Sequence, residues 1–315
     1  MRKPFKLPYD GMLLIILLVL CGIMAALSPF FLTVDNLVNL FNQTATYLFL
    51  AIGMTFVICS GSIDLSVGTI IGFTGMVISE LYNLGLSPGL AVLAGLASAV
   101  LIGLVNGWIT AYLRINSFIA TLCTMTIFRG VVLLITNSES LFGFGKFISF
   151  FGTGEILHIS VPILMAAVCV VLGWLLLHHT RFGTYTLFLG ANQTALQRFG
   201  VNEKRAKMLV FILSGLLAGI AGLVIVARLD SAQPLAGSGY EMDAIAAVIL
   251  GGTALEGGRG SVLGAVLGCL ILNVISNGLT LLSVSTHYQS IITGVVLIFA
   301  VLISEKNRRD RLSGR

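Results

Sequence analysis

The stretch FVICSGSIDLSVGTIIGFTGM, residues 56–76, sets one carboxylate, Asp64, among residues that are otherwise apolar or small. The surroundings suit the interior of a bilayer, where an acidic side chain costs roughly 2.5–3.5 kcal/mol on insertion scales. The small residues beside Asp64, Gly61, Ser66 and Gly68 among them, mark a break between two helices. Broken helices are tolerated at membrane depth only where the exposed backbone is buried in protein or lines a cavity. In such a break the carboxylate accepts bonds from N–H groups freed at the next helix start and is favoured by that helix's dipole. The expected role of Asp64 is therefore an N-terminal anchor for the following span. A part in substrate passage or gating is the first competing role. A proton or ion relay is the second, and few other intramembrane acids are present to form one.

The rest of the chain agrees with a membrane interior. Of its 315 residues, 57% are hydrophobic and 10% charged, against about 25% charged in an ordinary soluble domain. The nearly uncharged runs 11–27, 44–59, 160–177, 208–227 and 286–303 can each cross a hydrocarbon core of about 30 Å at 1.5 Å per residue. No soluble fold hides so many unbroken apolar runs, and the fold class is an all-α polytopic membrane protein. About ten crossings are expected, at 11–28, 44–60, 66–83, 87–113, 116–136, 160–178, 208–227, 240–252, 261–283 and 286–304. The eighth is too short to span comfortably and reads as a broken helix. Residues 30–43, FFLTVDNLVNLFNQ, read as too polar to span; they follow the helix breaker Ser28-Pro29 and are expected at the outer surface or re-entering.

Charge sets the orientation. With the N-terminus inside, 15 of the 18 Lys and Arg fall in cytoplasmic segments, only Lys146 and Arg228 fall outside, and Arg129 lies within a span. This is the asymmetry of the positive-inside rule. Both termini are then cytoplasmic, as ten crossings require. The basic MRKPFK and the apolar run after it lead into SPFF without a small-residue cleavage pattern, so the first span is expected to remain in the mature protein.

A second polar break, GGTALEGGRGS at 251–261, contains Gly251, Gly252, Glu256, Gly257 and Gly258. Like the first, it combines glycines with one acid and returns to apolar sequence. The pair hints at an internal repeat of two halves of five spans. An odd number per half would invert the second half, yet the assignment above puts both breaks on the cytoplasmic side, and that conflict stays open. Asn42, Asn106, Asn273 and Asn277 are candidates to wet a pathway; interhelical hydrogen bonding is the commoner use of such residues. Glycines at 215, 219 and 222, or at 264 and 268, place small residues on one helix face, as close helix contacts in lipid require.

Two connections are long. Residues 137–159 face outside and are rich in Gly, Phe and Ser. Residues 179–207 face the cytoplasm and are strongly basic; there Gly190 precedes a short helical stretch, 192–199, that Gly200 ends. A short amphipathic helix displayed in this way suits docking to a partner, although an ordinary basic loop is the plainer reading. A third segment, 228–253, carries three acids and runs from the outer side into a short apolar stretch.

No G-x-x-x-x-G-K-[ST] phosphate loop is present, so the chain does not energise itself with ATP. The five cysteines lie in or beside apolar runs without C-x-x-C spacing and read as reduced, and the four histidines form no ligand pattern. No metal, no cofactor of the chain's own, no enzyme chemistry and no nucleic-acid partner are expected.

The motifs AIGMTFVICSGSIDLSVG (51–68), ARLDSAQPLAGSGYEMDAIAAVILGGT (227–253) and GGRGSVLGAVLG (257–268) resemble the ribose-type permease subunits of bacterial ATP-binding-cassette sugar importers. So do LSPFFLTVDNLVNL (27–40), SFIATL (117–122) and LHHTRFGTY (177–185), and the likeness runs nearly end to end. It implies a single transmembrane permease domain over 1–315 in the bacterial cytoplasmic membrane. It also implies a second permease copy or sister permease, a cytoplasmic ATPase subunit that binds the ATP, and a periplasmic or tethered sugar-binding protein. In that family a GN-x-x-A-A…SGI segment couples to the ATPase. Gly190, Asn192, Ala195 and Gly200 match it, whereas Gln193 stands where an acid is usual, Thr194 for Ala and Phe199 for Ser. The expected function is inward passage of ribose or a similar monosaccharide by alternating access powered from the ATPase. A stand-alone ion-coupled sugar carrier is the alternative.

Overall fold

The fold is a computed structural model that describes residues 9–285 and, beyond them, residues 288, 289, 291, 292, 294, 295 and 298. The basic N-terminus and most of the tenth expected crossing, 286–304, lie outside the described residues. Eleven α-helices are described in full: α1 (Tyr9–Leu27), α2 (Val34–Cys59), α3 (Val67–Asn83), α4 (Pro88–Ala111), α5 (Ser117–Ile135), α6 (Gly145–Thr153), α7 (Val161–His179), α8 (Arg181–Arg198), α9 (Glu203–Leu229), α10 (Tyr240–Leu250) and α11 (Val262–Leu281). Four two-residue strands, β1 (Leu141–Phe142), β2 (Glu155–Ile156), β3 (Ile159–Ser160) and β4 (Ser231–Ala232), pair antiparallel as β1 with β4 and β2 with β3.

Among the described residues, seven helices, α1, α2, α4, α5, α7, α9 and α11, are long and apolar enough to cross a membrane. Local chemistry sets their ends. Thr33, Asn116, Thr180, Asn202 and Ser261 each accept a first-turn backbone N–H at the N-cap, and Pro88 and Pro162 stand in the first turns of α4 and α7. The helices α2 and α9 form the centre. Phe49, Ile52, Met54 and Phe56 of α2 pack with Phe211, Ala218 and Val224 of α9 in one buried cluster. On the rim, α1 exposes Leu14, Leu18, Val19 and Ile23, as a lipid-facing helix must.

Residues 34–43 correct the sequence reading. They are not a separate surface segment but the first turns of the 26-residue α2. Two of their polar side chains find partners within the protein: Asn36 and Asn277 donate to each other's side-chain oxygens at 3.1 and 2.9 Å, and Asn42 accepts from Ser160 Oγ at 2.6 Å. The two long connections are also structured. Residues 181–198 fold as α8, and 137–159 form α6 with the small strands. There β1 joins β4 just beyond α9, and the Phe144 N–H donates to Asp230 Oδ1 at 3.1 Å.

The segment between α9 and α10 dips into the bundle. The carbonyls of Pro234 and Ala236 lie over Gly72, and that of Gly237 lies over Gly68, both near the start of α3. Helix α10 then has 11 residues and rises only about 16 Å at 1.5 Å per residue. The eighth expected crossing is thus an 11-residue helix entered from a segment that packs on the start of α3.

Helices α4 and α9 cross backbone to backbone. A Cβ at Gly103 would strike the Phe211 carbonyl, and one at Gly215 would meet Ala99 O and sit 3.1 Å from Gly103 Cα. Small residues permit this approach, which supplies the dispersion contacts that hold helices together in lipid. Gly103→Leu or Gly215→Leu should therefore cost about 1–3 kcal/mol or more in overpacking. The measurement is the thermal midpoint and the monodisperse fraction in detergent, both expected to fall. Gly89→Ala, with nothing within 4 Å of the added carbon, should change neither.

Candidate functional site

The first break, residues 60–66, is organised around Asp64, which is fully buried. Ser66 donates both its N–H (3.0 Å) and its hydroxyl (2.6 Å) to Asp64 Oδ1, and the Ser214 hydroxyl of α9 donates to Oδ2 at 2.9 Å. Asn106 of α4 donates to Ser66 Oγ at 2.8 Å, and Thr124 of α5 donates to Asn106 Oδ1 at 2.7 Å. The break's own backbone is satisfied by α5: the Ile63 N–H donates to Ser117 Oγ and the Leu65 N–H to Thr121 Oγ1, each at 3.1 Å. Among the described residues no cation pairs with Asp64. These hydrogen bonds offset part of the cost of its burial, as buried carboxylates require. The anchor role takes a particular form: Asp64 holds the residue that begins α3 and ties it to α4, α5 and α9.

The second break, residues 251–261, reaches the same end of the bundle. The Gly258 N–H donates to the Cys59 carbonyl at 2.8 Å, bonding the last residue of α2 to the second break. Gly190 of α8 lies between them. A Cβ on Gly190 would collide with the Cys59 carbonyl and the Gly258 N–H, and one on Gly257 would lie 2.7 Å from Gly61 N and 2.8 Å from Gly190 Cα. Gly257 and Gly258 take φ of 89° and 78°, a region that side chains disfavour. Gly61, Gly190, Gly257 and Gly258 thus form one backbone-to-backbone junction of three chain segments.

Helix α8 bends immediately beyond that junction. Asn192 is extended at φ −164° and ψ 87°, and its Oδ1 accepts the Ala195 N–H at 2.9 Å, capping a second short helix. The sequence placed Asn192 inside that helix; it is instead the cap, because its side chain replaces the lost backbone acceptor. Gly200, at φ 74°, follows the end. Gln193, Thr194, Gln197 and Phe199 are exposed, Phe199 to 80%, whereas Leu196 is buried against Leu189 and Ala206.

The remaining candidates lie elsewhere. Gly68 meets Glu241 and the Gly237 carbonyl, Gly251 packs on Gly264, and Gly252 packs on the Tyr9 ring. The Glu256 carbonyl is near Gly61. Asn42 and Asn277 make the helix-linking bonds described above. Asn273 donates to the Cys269 carbonyl at 3.0 Å and lines a cavity of about 50 Å³ with Tyr47, Asp243 and Ser276. Sequence reasoning missed Glu241, 6% exposed, whose Oε2 has no hydrogen-bond partner among the described residues. It also missed Ser117, Thr121, Thr124 and Ser214. The first three recur at helical spacing in SFIATLCT, a legible stripe; the lone Ser214 has no such signal.

The Asp64 network yields a graded expectation. Asp64→Ala strands the Ser66 N–H and two hydroxyls, and buried unsatisfied groups cost about 1–3 kcal/mol each. Asp64→Asn keeps an acceptor oxygen for Ser66. The thermal midpoint in detergent should fall strongly for Ala and little for Asn; a wild-type midpoint for Asp64→Ala would contradict the network's role.

Comparison with known proteins agrees with this architecture. Residues 36–301 match the family model described as branched-chain amino acid transport system, permease component. The ribose import permease protein of Escherichia coli strain K12 is 44% identical over 299 residues, covering 94% of this chain and 93% of that protein. The ribose import permease protein of Bacillus subtilis strain 168 is 41% identical over 301 residues, covering 95% and 92%. The D-allose transport system permease protein of Escherichia coli K12 is 38% identical over 291 residues, covering 91% and 89%. A match over most of the chain, on a bundle with two broken helices joined at one end, places this protein in the family of transport-system permease components.

Proposed function

We propose that this chain is the membrane-spanning subunit of an ATP-binding-cassette importer that admits ribose or a similar monosaccharide. The observation that carries the proposal is the junction at Gly190, where the exposed tip of α8 is seated directly on both helix breaks. A second permease copy or a sister permease completes the translocation path. A cytoplasmic ATPase subunit docks on the segment 190–200, and a periplasmic or tethered sugar-binding protein delivers substrate at the opposite face. The chain makes ten crossings of the bacterial cytoplasmic membrane as one domain, with both termini cytoplasmic. Identity of 44% to a ribose import permease supports ribose over allose or arabinose, whose transport permeases are 38% and 36% identical.

In this reading ATP closes the ATPase pair, which displaces the α8 tip. Gly190 passes the displacement to Cys59 and Gly258, and so to the helix ends on either side of both breaks. The Asp64 network carries it on to α4, α5 and α9. The ATPase shifts the permease between inward- and outward-facing states only by its differential affinity for them. Sugar choice rests mainly with the binding protein, so the permease needs no tight site. Asn273, Asp243 and Tyr47 line the polar part of the path.

Two experiments test the proposal. The chain alone, in vesicles bearing a proton or sodium gradient, should not accumulate ribose; concentrative uptake without an ATPase would establish a self-powered carrier instead. Phe199→Asp should weaken ATPase binding by about 30-fold or more, as removal of a central aromatic anchor does. Because Phe199 is exposed, insertion and thermal stability should be unchanged. ATPase binding at wild-type strength in this variant would remove the docking role.

A further inference from the structure

A polar cavity of about 500 Å³ lies beside the Gly190 junction, with Gly61 and Thr110 in its wall. The α4–α5 turn, the tip of α8 and the first turn of α9 complete it. Three cations line it: Arg114, Lys204 and Lys207. Glu203 shares the wall, yet among the described residues none of the three cations has an ion-pair partner; Lys204 lies over the Tyr112 ring, 5.4 Å from its centroid. Lys207 is half-buried in this state, and a desolvated, unpaired ammonium is costly. The N-termini of α5 and α9 also border the space, through Ser117 and Glu203; Asn116 and Asn202 cap one N–H of each, and the positive ends of the two helix dipoles favour negative charge. Cations, helix starts and the amides of Gln193 and Gln197 together describe a receptor for a phosphate-type anion.

What surrounds the cavity identifies the source of that anion. Leu113, Ile115, Phe118, Ile119 and Leu122 are 40–55% exposed, so an apolar face runs from the cavity along α5. A free anion gains nothing from such a face, whereas acyl chains do. Basic pockets between membrane helices are suited to acidic head groups. We propose that this cavity seats the phosphate head group of an anionic phospholipid, with its acyl chains along the exposed face of α5. The seated head group touches Gln193 and Gln197, so the membrane's acidic lipid content bears on the segment that meets the ATPase. The lipid site itself does not depend on which solute the protein carries.

The test uses the full-length chain in neutral detergent, offered equimolar phosphatidylglycerol and phosphatidylcholine with identical acyl chains. Retained lipid is read by native mass spectrometry. The wild type should prefer phosphatidylglycerol by about tenfold or more, from the attraction of several basic residues for an acidic lipid. The combined variant Arg114→Gln, Lys204→Gln, Lys207→Gln should lose that preference. Arg114→Gln and Lys204→Gln, made singly and checked for a monodisperse elution profile, should each reduce it. Neutralising Arg181, Arg198 and Arg205 instead removes the same charge away from the cavity and should leave it intact. Unchanged preference in the combined variant would overturn the proposal. So would displacement of the lipid by millimolar inorganic phosphate, which would mark a soluble-anion site. Absence of any lipid preference, with the combined variant losing only ATPase binding, would give the cations to acidic residues of that partner and overturn it equally.

Discussion

A chain that interrupts a helix inside a membrane must satisfy the released N–H and C=O groups from within the protein, because hydrocarbon offers no water to do so. Both interruptions here obey that constraint, in different ways. The first is satisfied by side chains: Asp64, Ser117 and Thr121 take the N–H groups of residues 66, 63 and 65. The second uses backbone, with the Gly258 N–H on the Cys59 carbonyl and the Ala254 N–H on the Arg259 carbonyl. Since the first solution enlists α5 and α9 and the second enlists the end of α2, the breaks are fixed to the bundle and to each other.

In the proposed function, that economy is what lets the motion of a separate ATPase reach the bundle. Helix α8 is seated by Gly190 at the point where the two breaks meet, and a larger residue there would drive the three segments apart. A push on the exposed tip is therefore received by rigid backbone contacts rather than by flexible side chains. The same tip borders the cationic cavity, so the lipid and the ATPase proposed above would address one element from neighbouring surfaces.

Much of this was legible beforehand. Hydropathy alone located α1, α7 and α9, and the shortness of 240–252 matches the 11-residue α10. The glycine clusters with a single acid marked both breaks. What sequence could not convey was partnership across the fold. Asp64 meets a hydroxyl 150 positions away, and no periodicity encodes that. Residues 30–43 looked too polar for a spanning helix because composition does not reveal that Asn36 and Asn42 find partners in Asn277 and Ser160. The junction is built from glycine backbone, which leaves no side-chain pattern; the family-like motif pointed to Gly190 but not to its seat. The resemblance to sugar permeases supplied the reading of α8 that spacing alone left open.

The central claim is that the α8 tip and the second break move as one body. Spin labels on Gln193→Cys and Leu255→Cys, both exposed in this structure, report it directly in the assembled transporter once the native cysteines are replaced. Pulsed electron resonance would compare the nucleotide-free state with the state trapped by a non-hydrolysable ATP analogue. The account requires the same inter-label distance in both, while a label pair spanning the opposite face of the bundle changes. A distance between 193 and 255 that shifts beyond the width of its own distribution, with the opposite face unmoved, would mean that the junction does not transmit force.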